Sequence, residues 1–186
     1  TTGQIIARHK FDNRFEMKKW NSNTLHVSEK EISLWGPMIN KLWTYTNTSK
    51  ISSNYARIFE DNEQIDPLVL IGADDGFLRA LNVDAGWFNW NLERWAIQLN
   101  ASPKRIWSHN ERVFCLTAQD SLFTLDANSG LKINSIQLDQ HDYWAYIRNN
   151  LNNVMILGND HFVLGIDPLN GDKLWKIKEA NDTRMI

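Results

Sequence analysis

The chain has 186 residues, of which 42% are hydrophobic and 23% are charged, and its formal net charge is −2. This composition is typical of a globular protein that can bury a core, and the near-neutral charge gives no electrostatic footprint for binding nucleic acid or anionic lipid. No apolar run approaches the roughly 18 residues that a membrane span requires. The only cysteine, Cys115, cannot form an internal disulfide, so the sequence demands neither an oxidising nor a reducing compartment.

Short apolar runs separated by polar breaks predict strands along the whole chain. Residues 1–11 predict a turn and a short strand, and residues 14–47 predict strands around Leu25–Val27, Ile32–Trp35 and Lys41–Tyr45. Residues 48–66 are polar and predict a connecting loop with one strand near Tyr55–Phe59. One scheme of strands and turns then recurs in three segments, residues 67–93, 95–138 and 143–179. Sustained helical periodicity is lacking, so we expect little helix.

The segment Val69–Trp90 carries the strongest hairpin signal. Asp75-Gly76 lies between two apolar runs, and glycine supplies the positive φ that a tight turn requires. A second turn from Asp84 to Gly86 precedes a strand that we predict to end on Trp90. The later copies share two apolar strands, a polar hairpin, a turn of the form Asp-x-x-x-Gly and an outer strand.

An aromatic residue four positions past the turn glycine marks the outer strand. Trp90 and Trp175 lie at that position, Trp43 fits it with Ile39 in place of the glycine, and Asn134 interrupts the pattern. These four positions are 47, 44 and 41 residues apart. A period of about 40–50 residues with four strands per repeat is typical of β-propeller blades.

We therefore predict an all-β protein of about four four-stranded antiparallel propeller blades. The predicted blades form one unit over residues 1–186, with residues 1–11 as the outer strand of a preceding blade and with blades at residues 14–47, 51–93, 95–138 and 143–179. A twisted sheet needs neighbouring blades to bury both faces. Only six residues follow residue 180, too few to close a ring of four, so we expect part of a larger or incomplete propeller.

These motifs resemble the quinoprotein-type, or PQQ-like, β-propeller repeat. The resemblance is carried by Gly72–Gly76, Leu78–Asp84 and Gly86–Trp90, by Leu125–Gly130, and most clearly by Ile166–Trp175. It implies the fold more specifically than the function, because such repeats serve both enzymes and scaffolds.

The resemblance implies two kinds of function. Quinoprotein dehydrogenases bind pyrroloquinoline quinone (PQQ) and Ca²⁺ on the propeller axis, typically with a vicinal cysteine pair and a catalytic Asp. This chain has only Cys115 and no Cys-x-x-Cys-His haem motif. Non-catalytic relatives use the repeat as a docking surface. They include a bacterial outer-membrane assembly lipoprotein, luminal domains of endoplasmic-reticulum stress sensors and a subunit of a membrane-insertion complex.

The acidic residues have a structural and a chemical interpretation. Asp74-Asp75 could serve a metal ion or acid–base chemistry, but Gln119-Asp120 and Asn159-Asp160 repeat at the same predicted turn, which favours turn formation. Asp84, Asp126 and Asp167 likewise recur once per blade before a turn. The residues assigned to the structural repeat are Trp43, Asp75, Gly76, Asp84, Gly86, Trp90, Asp126, Gly130, Asp167, Gly171 and Trp175.

We predict no catalytic, cofactor-binding or metal-binding residue. The histidines show no ligand spacing; they are His9, His26, His109, His141 and His161. Cys115 lies in an apolar strand, Val113–Leu116, and is predicted to be a small buried hydrophobic residue.

The remaining tryptophans allow two interpretations, a protein-binding hot spot or packing between blades, and we favour packing. They are Trp20, Trp35, Trp87, Trp95, Trp107 and Trp144. Asn47, Asn100 and Asn181 lie in Asn-x-Ser/Thr triplets and are candidate glycosylation sites if the chain is secretory.

We predict a non-catalytic protein-binding scaffold or sensor domain, located in the periplasm or the endoplasmic-reticulum lumen. It would act through a protein partner or self-association, without nucleic acid and without a membrane span in this segment. The alternative is a fragment of a PQQ-dependent dehydrogenase, with PQQ and calcium as cofactors. A third possibility is that self-association of exposed strand edges is itself the function.

Overall fold

The computed structural model describes residues 16–20, 22–37, 40–51, 57–59, 67–84, 92–109, 111–138, 144–147, 154–158 and 162–178. These residues form four antiparallel sheets of four strands each, which we number as blades 1 to 4. Blade 1 contains β1 (Glu16–Trp20), β2 (Asn23–Val27), β3 (Glu31–Trp35) and β4 (Lys41–Thr46). Blade 2 contains β5 (Arg57–Phe59), β6 (Leu68–Gly72), β7 (Phe77–Asn82) and β8 (Glu93–Gln98). Blade 3 contains β9 (Pro103–His109), β10 (Arg112–Thr117), β11 (Ser121–Asp126) and β12 (Lys132–Gln137). Blade 4 contains β13 (Trp144–Ile147), β14 (Met155–Gly158), β15 (Phe162–Ile166) and β16 (Lys173–Lys178).

In every blade, strands that follow each other in the chain lie side by side in the sheet. The connections are therefore hairpins, as the Asp-Gly and Asp-x-x-x-Gly turns predict. The predicted all-β class and the four-stranded antiparallel blades are confirmed. The described residues contain no helix with the length and hydrophobicity that a membrane span requires.

The middle strands of blades 2 and 3 are apolar because both of their faces are covered. Every residue of β6 is buried, and in β11 only the last residue, Asp126, is not. The outer strands are more exposed, and β16 is exposed along its whole length. Burial on both faces favours continuous apolar runs, which explains why alternation is weak in the middle strands.

Three hydrophobic clusters hold successive blades together. Blades 1 and 2 meet at Leu34 and Leu81, among others, blades 2 and 3 at Leu70 and Val113, and blades 3 and 4 at Phe114. Full burial of one such side chain contributes about 1.5–3 kcal/mol. Each blade is therefore stabilised mainly by its neighbours, as in other repeat architectures.

The strand pairing moves two of the predicted boundaries. Blade 2 continues through β8 to Gln98, past the predicted end at residue 93, and blade 3 begins at Pro103. Blade 1 contains β1, which has no counterpart among the predicted strands because Glu16–Trp20 is mostly polar. The strand predicted within residues 1–11 lies outside the described residues.

Candidate functional site

One position in each outer strand organises the contacts between blades. It pairs with the third strand next to a β-bulge, and it is held by Trp43, Trp95, Asn134 and Trp175 in blades 1 to 4. Three of these residues occupy the position that the repeat comparison predicts. In blade 2 the position belongs to Trp95, and Trp90 and Gly86 lie outside the described residues.

Two of these tryptophans bind the backbone of the following blade. The Trp43 indole N–H donates to the Val83 carbonyl at 2.7 Å, and the Trp95 indole N–H donates to the Ala127 carbonyl at 2.8 Å. Both rings are buried, at 3% and 8% exposure. Each acceptor lies two residues beyond the bulge of its blade. A buried indole with its N–H satisfied combines apolar area with a directional contact, so it fixes the register between blades.

Gly130 makes room for the ring of Trp95. Its φ is 71°, a conformation that favours glycine. A Cβ atom at this position would lie 2.6 Å from Cδ2 of Trp95, closer than carbon atoms can approach. Gly171 in blade 4 also has a positive φ, 78°. A Cβ atom at Gly171 would collide with the Thr124 side chain of blade 3, as a Cβ atom at Gly130 would collide with the Trp95 ring. The glycines of the Asp-x-x-x-Gly turns therefore serve packing between blades as well as turn geometry.

Trp175 holds the same position in blade 4 but is 38% exposed. Its ring packs over Gly165, where a Cβ atom would collide with it. Within the described part of the chain, no acceptor lies within hydrogen-bonding distance of its indole N–H. Cross-strand pairing places Ile156, Gly165 and Trp175 in one row and Val163 and Ile177 in the next. We call these two rows the outgoing face of blade 4.

A second apolar surface lies at the turn ends of the outer strands in blades 3 and 4. Its members are a turn residue and a bulge residue from each blade: Leu131 (70% exposed), Ile133 (40%), Leu169 (53%) and Leu174 (50%). The two ends are joined because Asn134 Nδ2 donates to Asp172 Oδ1 at 2.9 Å. We call this surface the apolar rim. Together with Trp175 and Ile177 it holds every large hydrophobic side chain exposed among the residues whose burial is described.

Asp75 anchors a charged network between blades 1 and 2. Its carboxylate accepts hydrogen bonds from the Phe77 N–H at 2.9 Å and from Arg79 Nη2 at 2.8 Å. Arg79 is 9% exposed and also lies 3.7 Å from the Glu93 carboxylate, which accepts a bond from the Tyr45 hydroxyl at 2.8 Å. Burial alone would raise the pKa of Asp75, but the bonds from Arg79 and Phe77 hold this pKa below its usual value. Burial and the Glu93 carboxylate raise the pKa of Tyr45 to about 12.

The lowered pKa of Asp75 leads to a prediction about acid stability. The stabilisation that its charge provides is complete above the usual carboxyl pKa and is lost as the pH falls through the lower folded-state pKa. We expect Asp75→Asn to lower the free energy of unfolding by about 1.5–3 kcal/mol at pH 7, since hydrogen bonds to charged groups are worth that much. The variant should also show a shallower loss of stability below pH 4 in urea titrations.

Asp74→Asn is the matched control because the neighbouring Asp74 is exposed. At pH 7 it should change the free energy of unfolding by less than about 0.5 kcal/mol. Equal effects of the two variants at pH 7 would contradict the structural role of Asp75.

The other turn aspartates are also committed to the backbone. Asp126 accepts bonds from the Ser129 N–H at 2.9 Å and the Ser129 hydroxyl at 2.8 Å. Burial alone would raise the pKa of Asp126, but these bonds and the nearby Arg112 hold it below its usual value. Asp167 accepts a bond from the Leu169 N–H at 2.8 Å. These carboxylates form turns, as the repeat pattern predicts.

Blade 2 departs from the predicted alignment of the repeats. Its turn is opened by Asn82, whose N–H donates to the Leu92 carbonyl, as the Asp126 N–H donates to the Leu131 carbonyl. Asp84 therefore lies two residues beyond the turn-opening position that we assigned to it. In the hairpin between the second and third strands, Gly76 and Asp120 occupy equivalent positions, with φ of 81° and 57°. Asp75 therefore corresponds to Gln119, and the predicted alignment of Asp75 with Asp120 is wrong by one residue.

Two histidines and the cysteine lie in described strands. His26 lies 5.5 Å from the ring of Trp35, and His109 is buried at the end of β9. Among the described residues, no three His, Cys, Asp or Glu side chains lie close enough to hold a metal ion. The other three histidines lie outside the described residues: His9, His141 and His161. Cys115 is fully buried in the cluster between blades 2 and 3, and this burial raises the pKa of its thiol.

We expect Cys115 to resist alkylation in the folded protein. A buried thiol with a raised pKa presents neither the thiolate nor the access that iodoacetamide requires. The native protein should remain unmodified at pH 8, and the same protein in 8 M urea should become fully carbamidomethylated, as measured by intact mass. Rapid modification of the native protein would show that the interface between blades 2 and 3 opens readily.

The candidate glycosylation sites differ in access. Asn47 is 4% exposed and its side-chain amide donates to the Ser49 carbonyl at 2.9 Å. Asn100 is exposed, although its amide donates to the Ser121 hydroxyl at 2.7 Å. Asn181 lies outside the described residues. A glycosyltransferase can therefore reach the folded chain more easily at Asn100 than at Asn47.

The tryptophans that we left unassigned divide between packing and undescribed positions. Trp95 is a core residue, and Trp107 packs against the cluster between blades 3 and 4. Trp35 is 7% exposed and donates its indole N–H to the Ser33 hydroxyl at 2.8 Å. The structure does not describe the side chains of Trp20, Trp87 and Trp144.

Comparison with solved structures identifies the architecture. The crystal structure of BamB from Moraxella catarrhalis matches with a TM-score of 0.67 and 19% identity, over 90% of this chain and 50% of that one. The computationally designed Ika8 protein matches with a TM-score of 0.66 and 14% identity, over 87% and 48%. BBS1N, solved in complex with ARL6DN, matches with a TM-score of 0.62 and 15% identity, over 83% and 49%.

The chain has a β-propeller fold. It spans about half the length of each of these three structures, so its four blades correspond to half of a chain of that kind. No protein-family model matches the sequence, and no curated protein is similar enough to match it.

Proposed function

We propose that the chain is a non-catalytic protein-binding scaffold or sensor domain built from PQQ-like propeller repeats. The apolar rim is the observation that carries this proposal. Four large hydrophobic side chains are exposed together at one end of blades 3 and 4, although most other leucines and isoleucines of the described chain are buried. An exposed apolar group of this kind marks an interaction site more often than it occurs by chance.

The chemistry of the rim indicates the kind of partner. Leucine and isoleucine offer area but no directional bonds, so they suit an apolar anchor from another protein. The neighbouring β16 adds Lys173, Lys176 and Lys178 and no acidic residue. Acidic groups around the apolar anchor would complement this strand and speed the encounter. The structure of BBS1N in complex with ARL6DN is consistent with protein binding by this architecture.

Photo-crosslinking tests the rim directly. A photoreactive amino acid at Leu131 should capture a protein from an extract of the source cells, and Leu174→Ser should abolish the capture. The matched control is the same amino acid at Glu29, whose side chain is equally exposed at 70% but lies on blade 1. Equal capture at both positions, or capture that survives Leu174→Ser, would contradict a partner site at the rim.

The alternative, a fragment of a PQQ-dependent dehydrogenase, does not fit the described residues. A Ca²⁺ ion requires several oxygen ligands, usually carboxylates. Asp75 is bound to Arg79, Asp126 is bound to Ser129, and the described residues contain no cluster of three metal-binding side chains. Titration of the protein with PQQ and Ca²⁺ separates the two proposals. Saturable 1:1 binding, seen in the absorbance of the bound quinone, would favour the dehydrogenase.

A location outside the cytoplasm remains part of the proposal. It is supported by the resemblance of the repeat to that of luminal and outer-membrane-associated propellers. Fractionation of the source cells with an antibody against the chain tests it, and recovery with cytoplasmic markers would contradict it.

A further inference from the structure

The outer strands of blades 3 and 4 border a gap that begins at the apolar rim. In β12, Asn134 is bonded to Asp172 of blade 4, and Ile136 packs against the hydrophobic cluster between the two blades. In β16, Lys176 pairs with Leu164, a buried member of the same cluster. Directly paired residues lie on one face of a sheet, so Lys176 lies on the face of blade 4 that is turned toward blade 3. Both sides of this gap therefore belong to described blades.

Lys178 continues the row that Lys176 begins. It pairs with Phe162, and the centroid of the Phe162 ring lies 3.8 Å from the Lys176 ammonium nitrogen. Both lysines are exposed. The residues between them in the sequence lie on the outgoing face of blade 4. The gap is therefore bordered by a positive charge at every second position of β16, beginning two residues beyond Leu174 of the rim.

The described strands on the two sides of the gap carry only positive charge. β12 contains one lysine and β16 contains three, and neither strand contains an acidic residue. The turn aspartates of blade 4 are bonded within the chain, because Asp172 accepts a bond from Asn134 and Asp167 accepts one from the Leu169 N–H. A partner with carboxylates along this gap would complement the charge of both strands.

The spacing of the lysines indicates an extended partner. Residues of a strand are about 3.3 Å apart, so Lys176 and Lys178 lie about 7 Å and 13 Å along β16 from Leu174. An extended segment places its own residues two and four positions from an anchor at the same distances and on one side of its chain. β16 is also the last strand of its sheet, so its outer edge offers backbone groups that only an extended segment can pair.

We propose that the partner bound at the rim is an acidic extended segment that continues along β16. One large apolar side chain of the segment packs on the rim at Leu174. Asp or Glu residues two and four positions from this anchor bind Lys176 and Lys178. The inference rests on the proposed partner binding and specifies the sequence of the segment that binds.

Selection from a phage library of random nine-residue peptides tests this motif. The full chain is the immobilised target, and Leu174→Ser removes peptides that bind elsewhere. The enriched peptides should contain a large apolar residue with acidic residues two and four positions away. Enriched peptides that are neutral or basic, acidic residues at helical spacings of three and four, or no enrichment over Leu174→Ser would each overturn the proposal.

Charge reversal measures the contribution of the two lysines. For a synthetic copy of an enriched peptide, Lys176→Glu/Lys178→Glu should raise the dissociation constant measured by fluorescence anisotropy about 10-fold or more. Higher salt should weaken binding to the wild-type chain, because it screens exposed charges. Lys30→Glu/Lys41→Glu is the matched control, since it makes the same charge change at two exposed lysines of blade 1. Equal weakening by the two double variants would show attraction by net charge alone and would overturn the proposal.

The two proposals can fail separately. A partner that is captured at Leu131 and lost in Leu174→Ser, but that binds Lys176→Glu/Lys178→Glu as tightly as wild type, would leave the partner site at the rim in place. The same result would overturn the acidic extended segment.

Discussion

Trp95→Ala lowers the free energy of unfolding by about 3–5 kcal/mol, the range for truncation of a buried aromatic side chain. The substitution removes a ring that is 8% exposed and leaves a cavity between blades 2 and 3. It also leaves the Ala127 carbonyl without the bond that it accepts at 2.8 Å. Urea unfolding followed by far-ultraviolet circular dichroism measures the change.

Two further variants separate the parts of this effect. Trp95→Phe keeps most of the ring but removes the donor, so it should cost about 1–3 kcal/mol, the penalty for an unsatisfied buried polar group. Trp175→Ala makes the same change at the equivalent position of blade 4, where the ring is 38% exposed, and should cost less than about 1.5 kcal/mol in dilute solution. A cost as large for Trp175→Ala as for Trp95→Ala would mean that the tryptophans do not stabilise the contact between blades.

Gly130→Ala lowers the free energy of unfolding by about 2–5 kcal/mol. Alanine at a φ of 71° costs about 1–2 kcal/mol, because its Cβ approaches the carbonyl oxygen. The same Cβ would lie 2.6 Å from the Trp95 ring, and such overpacking costs about 1–3 kcal/mol. Chemical denaturation at neutral pH checks the total.

A double-mutant cycle tests whether the ring is the cause. In a Trp95→Ala background the collision is gone, so Gly130→Ala should cost only the backbone part, about 1–2 kcal/mol. Gly36→Ala is the matched control, since its Cβ would meet only the flexible end of the Asn40 side chain, and it should cost less than about 1 kcal/mol. Additive effects of Gly130→Ala and Trp95→Ala would contradict the packing role of this glycine.

The blade architecture could be predicted from the sequence because each repeat contains turn residues and apolar strands that act over short distances in the chain. Asp126 and Gly130 begin and end one turn. The Asp126 side chain bonds the Ser129 N–H three residues on, and Gly130 adopts the positive φ, so both effects are local to the turn. The buried middle strands, such as Leu68–Gly72, are apolar enough to be recognised directly. A polar strand such as β1 carries no such signal, because its pairing depends on the neighbouring β2.

The register between β7 and β8 in blade 2 could not be predicted from the sequence. Trp90 and Trp95 both lie near the expected spacing, and only the pairing of Ala80 with Trp95 decides between them. All four blades carry the bulge next to that pair, so the difference lies in the turn: Trp95 follows Asn82 by 13 positions, whereas Asn134 follows Asp126 by 8. The sequence pattern also missed Asn82 as the residue that opens the turn of blade 2, because asparagine and aspartate both tolerate this turn.

The sequence by itself determined the all-β class, the four repeats, the turn-forming Asp126 and Asp167, and the buried character of Cys115. All of these follow from side-chain chemistry over a few neighbouring residues. Only the tertiary structure decided which tryptophans join blades and which are exposed. Trp43, Trp95 and Trp175 are the same residue at the same position of the repeat, and they differ in whether a neighbouring blade covers them. Burial is a property of the assembled blades, so the identity of a single residue in the repeat does not determine it.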